Sequence, residues 1–201
     1  MRRCVLVALL ALAACGRLIP ANNQTLEPTR LEGGAYRLDP DHIALLWKIN
    51  HLGFSQFVGR FDRVEASLDF DPGSPTASRL EVIVETASID TNVPKLDDDL
   101  RGSGWLDATA FPQAIFRSTA IDVTGRNTGR VTGDLTLHGV TRPISLDVTF
   151  NGGANDLITG RYTLGFAAAG TFKRSEFGID SLIPAIGDEI ELEIHAEFLR
   201  Q

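Results

Sequence analysis

The stretch IELEIHAEF, Ile190–Phe198, alternates apolar and polar side chains without interruption. Its five apolar residues occupy every second position, and three glutamates and His195 stand between them. Successive side chains of a β-strand point to opposite faces, so a strict period of two predicts one face in a core and one in water. The end of the chain is therefore predicted to be an amphipathic strand.

Seven earlier runs repeat this period. They begin at Ile43, Val64, Leu80, Ala114, Val131, Ile144 and Tyr162. Turn-forming residues separate several of them, as in DPGSPTAS (71–78), GRNTGR (125–130) and NGGANDLITG (151–160). The sequence thus predicts an all-β domain of eight antiparallel strands.

Eight such strands can form either a two-sheet sandwich or a closed barrel. The first, seventh and eighth runs each extend over about 13 residues, or roughly 40 Å at ~3.3 Å per residue. Tilted by about 35–45°, they would give a barrel roughly 30 Å tall, which is tall for a small solid core. The seventh run also clusters Gly165 with Ala167–Gly170, which permits tight bending or leaves space in a lumen. We expect a barrel with an apolar lumen; the alternative is an interior filled by its own side chains.

The segment NHLGFSQFVGRF, Asn50–Phe61, joins the first two runs and is unusually rich in apolar surface for a connection. We expect Phe54, Phe57 and Phe61 to cap or line one end of the lumen. Its two glycines would let the chain bend. Ordinary core packing of the three rings is the alternative.

The segment Thr91–Pro112 breaks the period of two. Its proline at position 94, the run LDDDL (96–100) and WLDATAF (105–111) predict one or two short helical turns. The three aspartates lack the spaced ligands and the glycine of a calcium loop, so the start of a helix is the expected role. A connection of this length is usually functional or a lid.

Residues 1–14 are predicted to be a signal peptide. Two arginines precede the apolar run Val5–Ala14, which is too short to span a bilayer. LAAC (12–15) resembles the lipobox of bacterial lipoproteins, which implies cleavage before Cys15 and lipidation of that cysteine. Plain secretion after cleavage behind Ala14 is the alternative. Gly16, by the sorting rule of that family, favours the outer membrane.

Residues 15–34 are predicted to be the lipidated N-terminus and a flexible tether, and residues 35–201 the barrel domain. Cys4 leaves with the signal and Cys15 is consumed by lipid, so disulfides, thiol catalysis and cysteine metal sites are excluded. The net charge of −7, or −9 without the signal, argues against nucleic acid and against electrostatic docking on anionic lipid.

Four segments, in order along the chain, resemble the YceI-like polyisoprenoid-binding proteins. They are YRLDPDHIALLWKINHLGFSQFVGRF (36–61), ASIDTNVPKLDDDLRGSGWLDATAFPQAIFRS (87–118), GDLTLHGVTRPISLDV (133–148) and FKRSEFGID (172–180). The resemblance implies an eight-stranded antiparallel, lipocalin-like barrel with a short helical insertion. It also implies a lumen for a long isoprenoid lipid, with a polyprenyl or quinone-type tail, and a periplasmic or envelope location.

The inward positions of the runs are the candidate lipid-contacting residues. They are Ile43, Leu45, Trp47, Ile49, Phe54, Phe57, Leu68, Phe70, Val82, Phe116, Leu135, Leu146, Val148, Leu164, Phe166, Phe172, Leu192 and Ile194. His42, His51 and Arg174 are candidates for a headgroup contact or for the barrel ends. For Arg174 the alternatives are a structural pair with Asp180 or Glu176 and an anionic headgroup.

Catalysis and metal binding are not expected. His42 and His51 are nine residues apart on one strand, or roughly 30 Å, too far to share a metal. Ser55 lies close to His51 in sequence, but no strained elbow motif surrounds it. His138, in a turn, is expected to make a structural hydrogen bond, and His195 to face water. No cofactor is expected.

Two functions remain from the sequence. One is a lipid-anchored periplasmic protein, at the outer membrane, that sequesters or carries an isoprenoid lipid. The other is a non-catalytic envelope module whose acidic last strand, or whose segment Thr91–Pro112, meets a protein partner. The oligomeric state, a homodimer included, stays open.

Overall fold

The computed structural model describes residues 23–201, which are nearly all β. The strands are β1 (Gly34–His51), β2 (Ser55–Phe61), β3 (Val64–Phe70), β4 (Arg79–Glu85), β5 (Ile89–Asp90), β6 (Gln113–Val123), β7 (Thr128–Leu137), β8 (Val140–Asn155), β9 (Tyr162–Lys173) and β10 (Ile186–Arg200). Helix α1 spans Pro94–Arg101, and short 3-10 helices span Pro28–Arg30, Pro75–Ala77, Thr86–Ser88 and Arg174–Phe177. Within residues 23–201, no helix is long and apolar enough to cross a membrane. The predicted signal peptide and Cys15 lie outside the described residues.

The strands close into an antiparallel barrel of eight positions. The sheet runs β10–β9–β8–β7–β6–β4–β3–β1, and β10 pairs back onto β1. The start of β1 pairs with β3, whereas its second half, Leu45–His51, pairs with β2. Because β2 and β3 follow each other along β1, they occupy one barrel position as a single bent strand. The predicted eight-stranded barrel is confirmed, and the sandwich is excluded.

The prediction that Asn50–Phe61 is a connection was wrong. Only Leu52–Phe54 forms the turn, and Ser55–Phe61 is strand β2. Gly59 is the reason that this strand was not predicted, because a glycine at an inward position interrupts the alternation of apolar and polar residues. A Cβ at Gly59 would overlap the indole ring of Trp47, so the missing side chain makes room for that ring.

Side chains fill the barrel at the end where β1 begins. Their buried members are Tyr36, Leu38, Val64, Ala66, Leu68, Tyr162, Leu164 and Phe198. Phe166 packs against this cluster, with its ring centroid 5.1 Å from that of Phe150 and 5.8 Å from that of Phe198. Burial of each large side chain stabilises the fold by about 1.5–3 kcal/mol. The alternative of a filled interior therefore describes this end, hereafter the filled end.

Part of the predicted tether packs on the filled end. Thr25 and Gly153 exchange two backbone hydrogen bonds of 3.0 Å, each N–H donating to the other carbonyl. Leu31 is half-buried against the packed cluster. The prediction of a flexible tether that extends to residue 34 was therefore wrong for the residues that pack on the barrel. The polar composition of a segment does not show whether it pairs with a strand that is distant in sequence.

Helix α1 completes the barrel wall at the other end. There the edge of β2 that faces away from β1 pairs only with the short β5, and β6 pairs with β4 and β7, so no strand joins β5 to β6 among the described residues. Arg101 of α1 donates hydrogen bonds to the carbonyls of Ala87 and Ile89, at 2.8 and 2.9 Å. Asp97 is buried, and its Oδ1 accepts from the backbone N–H and the hydroxyl of Thr91, at 2.8 and 2.6 Å. Of the three aspartates, Asp97 lies in the first turn of α1 and ties it to Thr91, so the predicted role at a helix start holds for Asp97.

Candidate ligand-binding lumen

A cavity of about 370 Å³ occupies the half of the barrel away from the filled end. This volume lies in the range of ~300–1,000 Å³ that is common for small-ligand sites. His51, at the end of β1, and Leu182, in the loop before β10, both border it. Because Leu182 is also 66% exposed, the cavity reaches the surface there, and this end is called the mouth.

The cavity wall is almost entirely apolar. Strands β1, β4, β6, β7 and β10 contribute aliphatic and aromatic side chains, and α1 contributes two leucines. His51 and Arg174 are its ionisable side chains. Burial of an unpaired polar group in such a wall costs free energy, whereas burial of a hydrocarbon releases it. The site therefore suits an apolar ligand.

The structure places eleven of the predicted lumen residues on this wall. They are Leu45, Trp47, Ile49, Phe57, Val82, Phe116, Leu135, Leu146, Phe172, Leu192 and Ile194. They come from eight different strands, and barrel closure brings them together. Their contact with an isoprenoid stays a prediction.

The other seven predicted residues do not border the cavity. Leu68 and Leu164 are buried in the filled end, and Ile43, Phe70 and Phe166 pack against them. Val148 packs beside Leu146 without reaching the cavity. Phe54 stands in the β1–β2 turn and is 87% exposed. The alternation identifies the inward face of a strand but not the height along the barrel, and a turn residue has no inward face.

Several wall residues were missed from the sequence. Leu96 and Leu100 are four residues apart in α1 and so share one helix face, a spacing that could have identified them. The loop residues have no such periodic signal. Phe61, expected from the sequence at one end of the lumen, also borders the cavity. The missed residues are Val84, Ile89, Leu96, Leu100, Trp105, Leu106, Ala114, Leu137, Ile144, Ile179, Leu182, Ile186 and Ile190.

Arg174 is buried beside the cavity, with only 3% of its surface exposed. Its guanidinium donates hydrogen bonds to four carbonyls: those of Gly187 at 2.8 Å, Ser181 at 2.9 Å, Ile179 at 3.0 Å and Ile186 at 3.1 Å. Ile179 and Ser181 lie in the loop before β10, and Ile186 and Gly187 are the first two residues of β10. Arg174 therefore holds one side of the mouth in place.

The predicted pairing of Arg174 with Asp180 or Glu176 was wrong. Within residues 23–201 no carboxylate forms an ion pair with it; its planar fork of donors instead matches the converging loop carbonyls. Burial lowers the pKa of Arg174, and the negative charges of Asp188 and Asp180 oppose the shift. The guanidinium carbon lies 5.2 Å from the ring centroid of Trp105, a cation–π arrangement. A headgroup contact stays a prediction.

A family model of the YceI-like domain matches residues 36–198. The chain belongs to the YceI-like family. A UPF0312 protein of Pseudomonas putida (strain W619) is 38% identical over 168 residues, which are 83% of this chain and 86% of that protein. The crystal structure of Burkholderia cenocepacia BcnA superposes with a TM-score of 0.73 at 25% identity, over 80% of this chain and 98% of BcnA. A polyisoprenoid-binding domain from Saccharophagus degradans, implicated in plant cell wall breakdown, shares the fold, with a TM-score of 0.64 at 12% identity over 85% of this chain and 100% of that domain.

In this YceI-like chain, the segment GDLTLHGVTRPISLDV forms the β7–β8 hairpin. His138 and Gly139 make its turn with positive φ angles of 51° and 75°. Nδ1 of His138 donates a hydrogen bond of 3.1 Å to the carbonyl of Phe177, in the segment FKRSEFGID. The predicted structural hydrogen bond is confirmed, and it ties two family segments together.

The YceI-like barrel places His42 outside the lumen. Four residues of β1, from Asp39 to His42, bulge opposite the single β10 residue Glu197, toward the filled end. Nδ1 of His42 lies 2.9 Å from Oδ2 of Asp39, and this hydrogen bond, followed by the charge of Glu197, raises the pKa of His42. His42 therefore lies at a barrel end, one of its two expected places, and that end is the filled one, away from the mouth. The cluster of these three side chains, within 4.8 Å of one another, was not foreseen because the sequence argument compared His42 only with His51.

His51 borders the mouth of the YceI-like lumen. Its ring centroid lies 6.2 Å from that of Phe57, and both side chains line the cavity. The imidazole can donate or accept a hydrogen bond, and its contact with a headgroup stays a prediction.

Proposed function

We propose that this YceI-like protein binds and carries an isoprenoid lipid, whose tail enters the lumen through the mouth. The observation that carries the proposal is an apolar cavity closed at one end by packed side chains and open at the other. A blind apolar channel accepts a hydrocarbon chain end-first and leaves its polar end near the surface. No covalent step is needed, so the proposed role is binding and not catalysis.

The cavity volume sets how much of the tail is enclosed. An apolar protein cavity of roughly 150 Å³ holds one benzene, which has six carbons. A cavity of about 370 Å³ then encloses about fifteen carbons, or three isoprene units. At ~0.8 kcal/mol per buried CH₂, three units contribute about 12 kcal/mol before the costs of chain ordering and association. Tail burial alone therefore supplies useful affinity.

The comparisons support this proposal at the level of fold. The Saccharophagus degradans domain is described as polyisoprenoid-binding and shares the barrel. The lumen that we propose for the lipid is built from residues inside the family match at 36–198.

We also propose that the protein is lipidated at Cys15 and held in the periplasm at the outer membrane. The support is the sequence pattern of residues 1–16. A carrier anchored beside a membrane would spare the tail a path through water. Labelling with a radioactive fatty acid should mark the natural protein and not Cys15→Ser. Equal labelling of both would contradict the assignment.

Lipid extraction tests the binding function. Residues 23–201 are purified, keeping 23–33 because Thr25 and Leu31 pack on the barrel. Organic extraction and mass spectrometry should recover about one isoprenoid lipid per chain. Recovery of none, together with no binding of added farnesol, would contradict the proposal.

A matched pair of variants tests the lumen. Ala114→Phe places a ring in the cavity, whereas Ala120→Phe adds the same ring on the exposed side of the same strand. The first should reduce lipid uptake severalfold, and the second should leave it unchanged. Equal uptake by both, with both folded, would place the lipid elsewhere.

A further inference from the structure

Three large apolar side chains are exposed at the mouth. Leu52 and Phe54 stand in the β1–β2 turn, and Leu182 stands in the loop before β10. Their exposed fractions are 51%, 87% and 66%. These three residues are called the apolar rim.

The apolar rim is one surface, continuous with the lumen wall. The backbone N–H of Leu52 donates to the carbonyl of Ala185 at 3.0 Å, which joins the turn to the loop. Leu182 is both exposed and part of the cavity wall, and His51, the residue before Leu52, borders the same cavity. Singly exposed apolar residues are ordinary on proteins. Three that surround the opening of an apolar cavity form a path from the surface to the lumen.

The rim is held rigidly outward. Leu52 and Leu182 have positive φ angles of 55° and 60°, a region that disfavours side chains with a Cβ. Arg174 fixes the loop through the carbonyls of Ser181 and Ile186 on either side of Leu182. The chain thus places leucines where glycine would be less strained, and it presents them to solvent.

The charges near the apolar rim limit which kind of lipid surface it can bind. Neither 51–56 nor 178–188 contains lysine or arginine, and the loop carries Asp180 and Asp188. Attraction to anionic lipid relies on clustered basic residues. Electrostatic attraction therefore does not favour anionic lipid at the rim, and its apolar side chains would supply the free energy of docking.

We propose that the apolar rim docks the protein on a zwitterionic lipid bilayer, with the mouth facing the acyl chains. This inference rests on the proposed function, since the lumen cargo would then pass between bilayer and barrel without crossing water. Aromatic residues are enriched at membrane–water interfaces, which suits Phe54 at the tip of the turn. Apolar insertion scales with buried apolar area, so each rim residue contributes separately.

Flotation with phosphatidylcholine vesicles tests the docking surface. Residues 23–201 contain every strand of the closed barrel and its packed end, so they are used without an anchor. Phe54→Asp and Leu182→Asp should each weaken vesicle binding about tenfold or more. Ile158→Asp is the matched control, because Ile158 is 91% exposed in the β8–β9 turn beside the filled end, and its binding should stay within twofold of the natural chain. No binding by the natural chain, equal binding by rim variants, or binding only to phosphatidylglycerol vesicles would overturn the inference.

Farnesol binding without vesicles separates the two proposals. Loss of flotation with unchanged farnesol affinity in Phe54→Asp supports the rim as a docking surface distinct from the lumen. Rim-dependent flotation of a chain that binds no farnesol would sustain the docking surface and refute the lipid-binding function. Farnesol binding without rim-dependent flotation would support the lipid-binding function and refute the docking surface.

Discussion

The lumen volume predicts that affinity depends on tail length in two stages. The perturbation is a series of prenyl alcohols from two to eight isoprene units. Each unit that enters the cavity buries about five carbons and contributes roughly 4 kcal/mol before costs. If ordering and association consume about half, each unit contributes ~2 kcal/mol, or about thirtyfold in Kd.

This gain should end near the third unit. The cavity of about 370 Å³ encloses about fifteen carbons, so later units remain at the mouth in partial contact with water. We expect Kd to fall about thirtyfold from two to three units and by less than threefold for each unit after that. Ala114→Phe occupies about one unit of the space, so the break should move to about two units.

Intrinsic fluorescence provides the assay. The chain contains two tryptophans, Trp47 and Trp105, and both line the cavity, so a bound tail alters the surroundings of both indole rings. Titration with each alcohol gives Kd directly. A gain that continues undiminished to eight units, or no gain between two and three, would refute the reasoning from volume.

Three further predictions follow from single contacts. Gly59→Ala should destabilise the fold by ~1–3 kcal/mol, since the added Cβ overlaps the ring of Trp47. Gly73→Ala should change the free energy of unfolding little, since its Cβ would meet only the side chain of Asp71, at an ordinary contact distance of 3.4 Å; urea denaturation measures both. Arg174→Lys should lower the free energy of unfolding by about 3 kcal/mol or more in the same assay, because one ammonium cannot reach four carbonyls. A variant as stable as the natural chain would contradict the role of Arg174 in holding the loop. The raised pKa of His42 contributes stability that is fully present below the unfolded pKa of ~6.5 and is lost as pH rises through the folded pKa. His42→Gln should therefore be less stable than the natural chain at pH 5.5 and equally stable at pH 8.5. If the variant is destabilised by the same amount at both pH values, the charge on His42 is not the cause of the destabilisation.

Much of the barrel could be predicted because alternation is a local property of each strand. Ile190–Phe198 shows its inward face by side-chain type alone, and the structure confirms it as part of β10. The strand β2 was the failure among the strands, because Gly59 removes an inward side chain and so hides the period. The helix in Thr91–Pro112 was foreseen, but its place in the barrel wall depends on Arg101 reaching carbonyls of β5 and its flank.

The candidate site was predicted in part. Trp47 and Leu164 carry the same inward signal in the sequence, yet one borders the cavity and the other is fully buried in the filled end. Arg174 could be singled out as unusual, but its four carbonyl partners lie in the loop before β10 and in the first two residues of β10, and no periodicity describes the path of that loop. The apolar rim was also hidden, since exposure in a turn depends on what packs beside it.

The sequence by itself determined most of the strands, their inward faces and the family, since each follows from residues adjacent along the chain. Only the tertiary structure decided which half of the barrel is solid and which is hollow, where the mouth lies, and that Phe54 faces water. The physical reason is that filling a barrel depends on the summed volume of side chains from all eight positions at one height. That height is set by the register between strands, so Leu164 meets Tyr36 and Phe198 and leaves no space, while the level of Trp47 and Leu135 leaves room for a ligand.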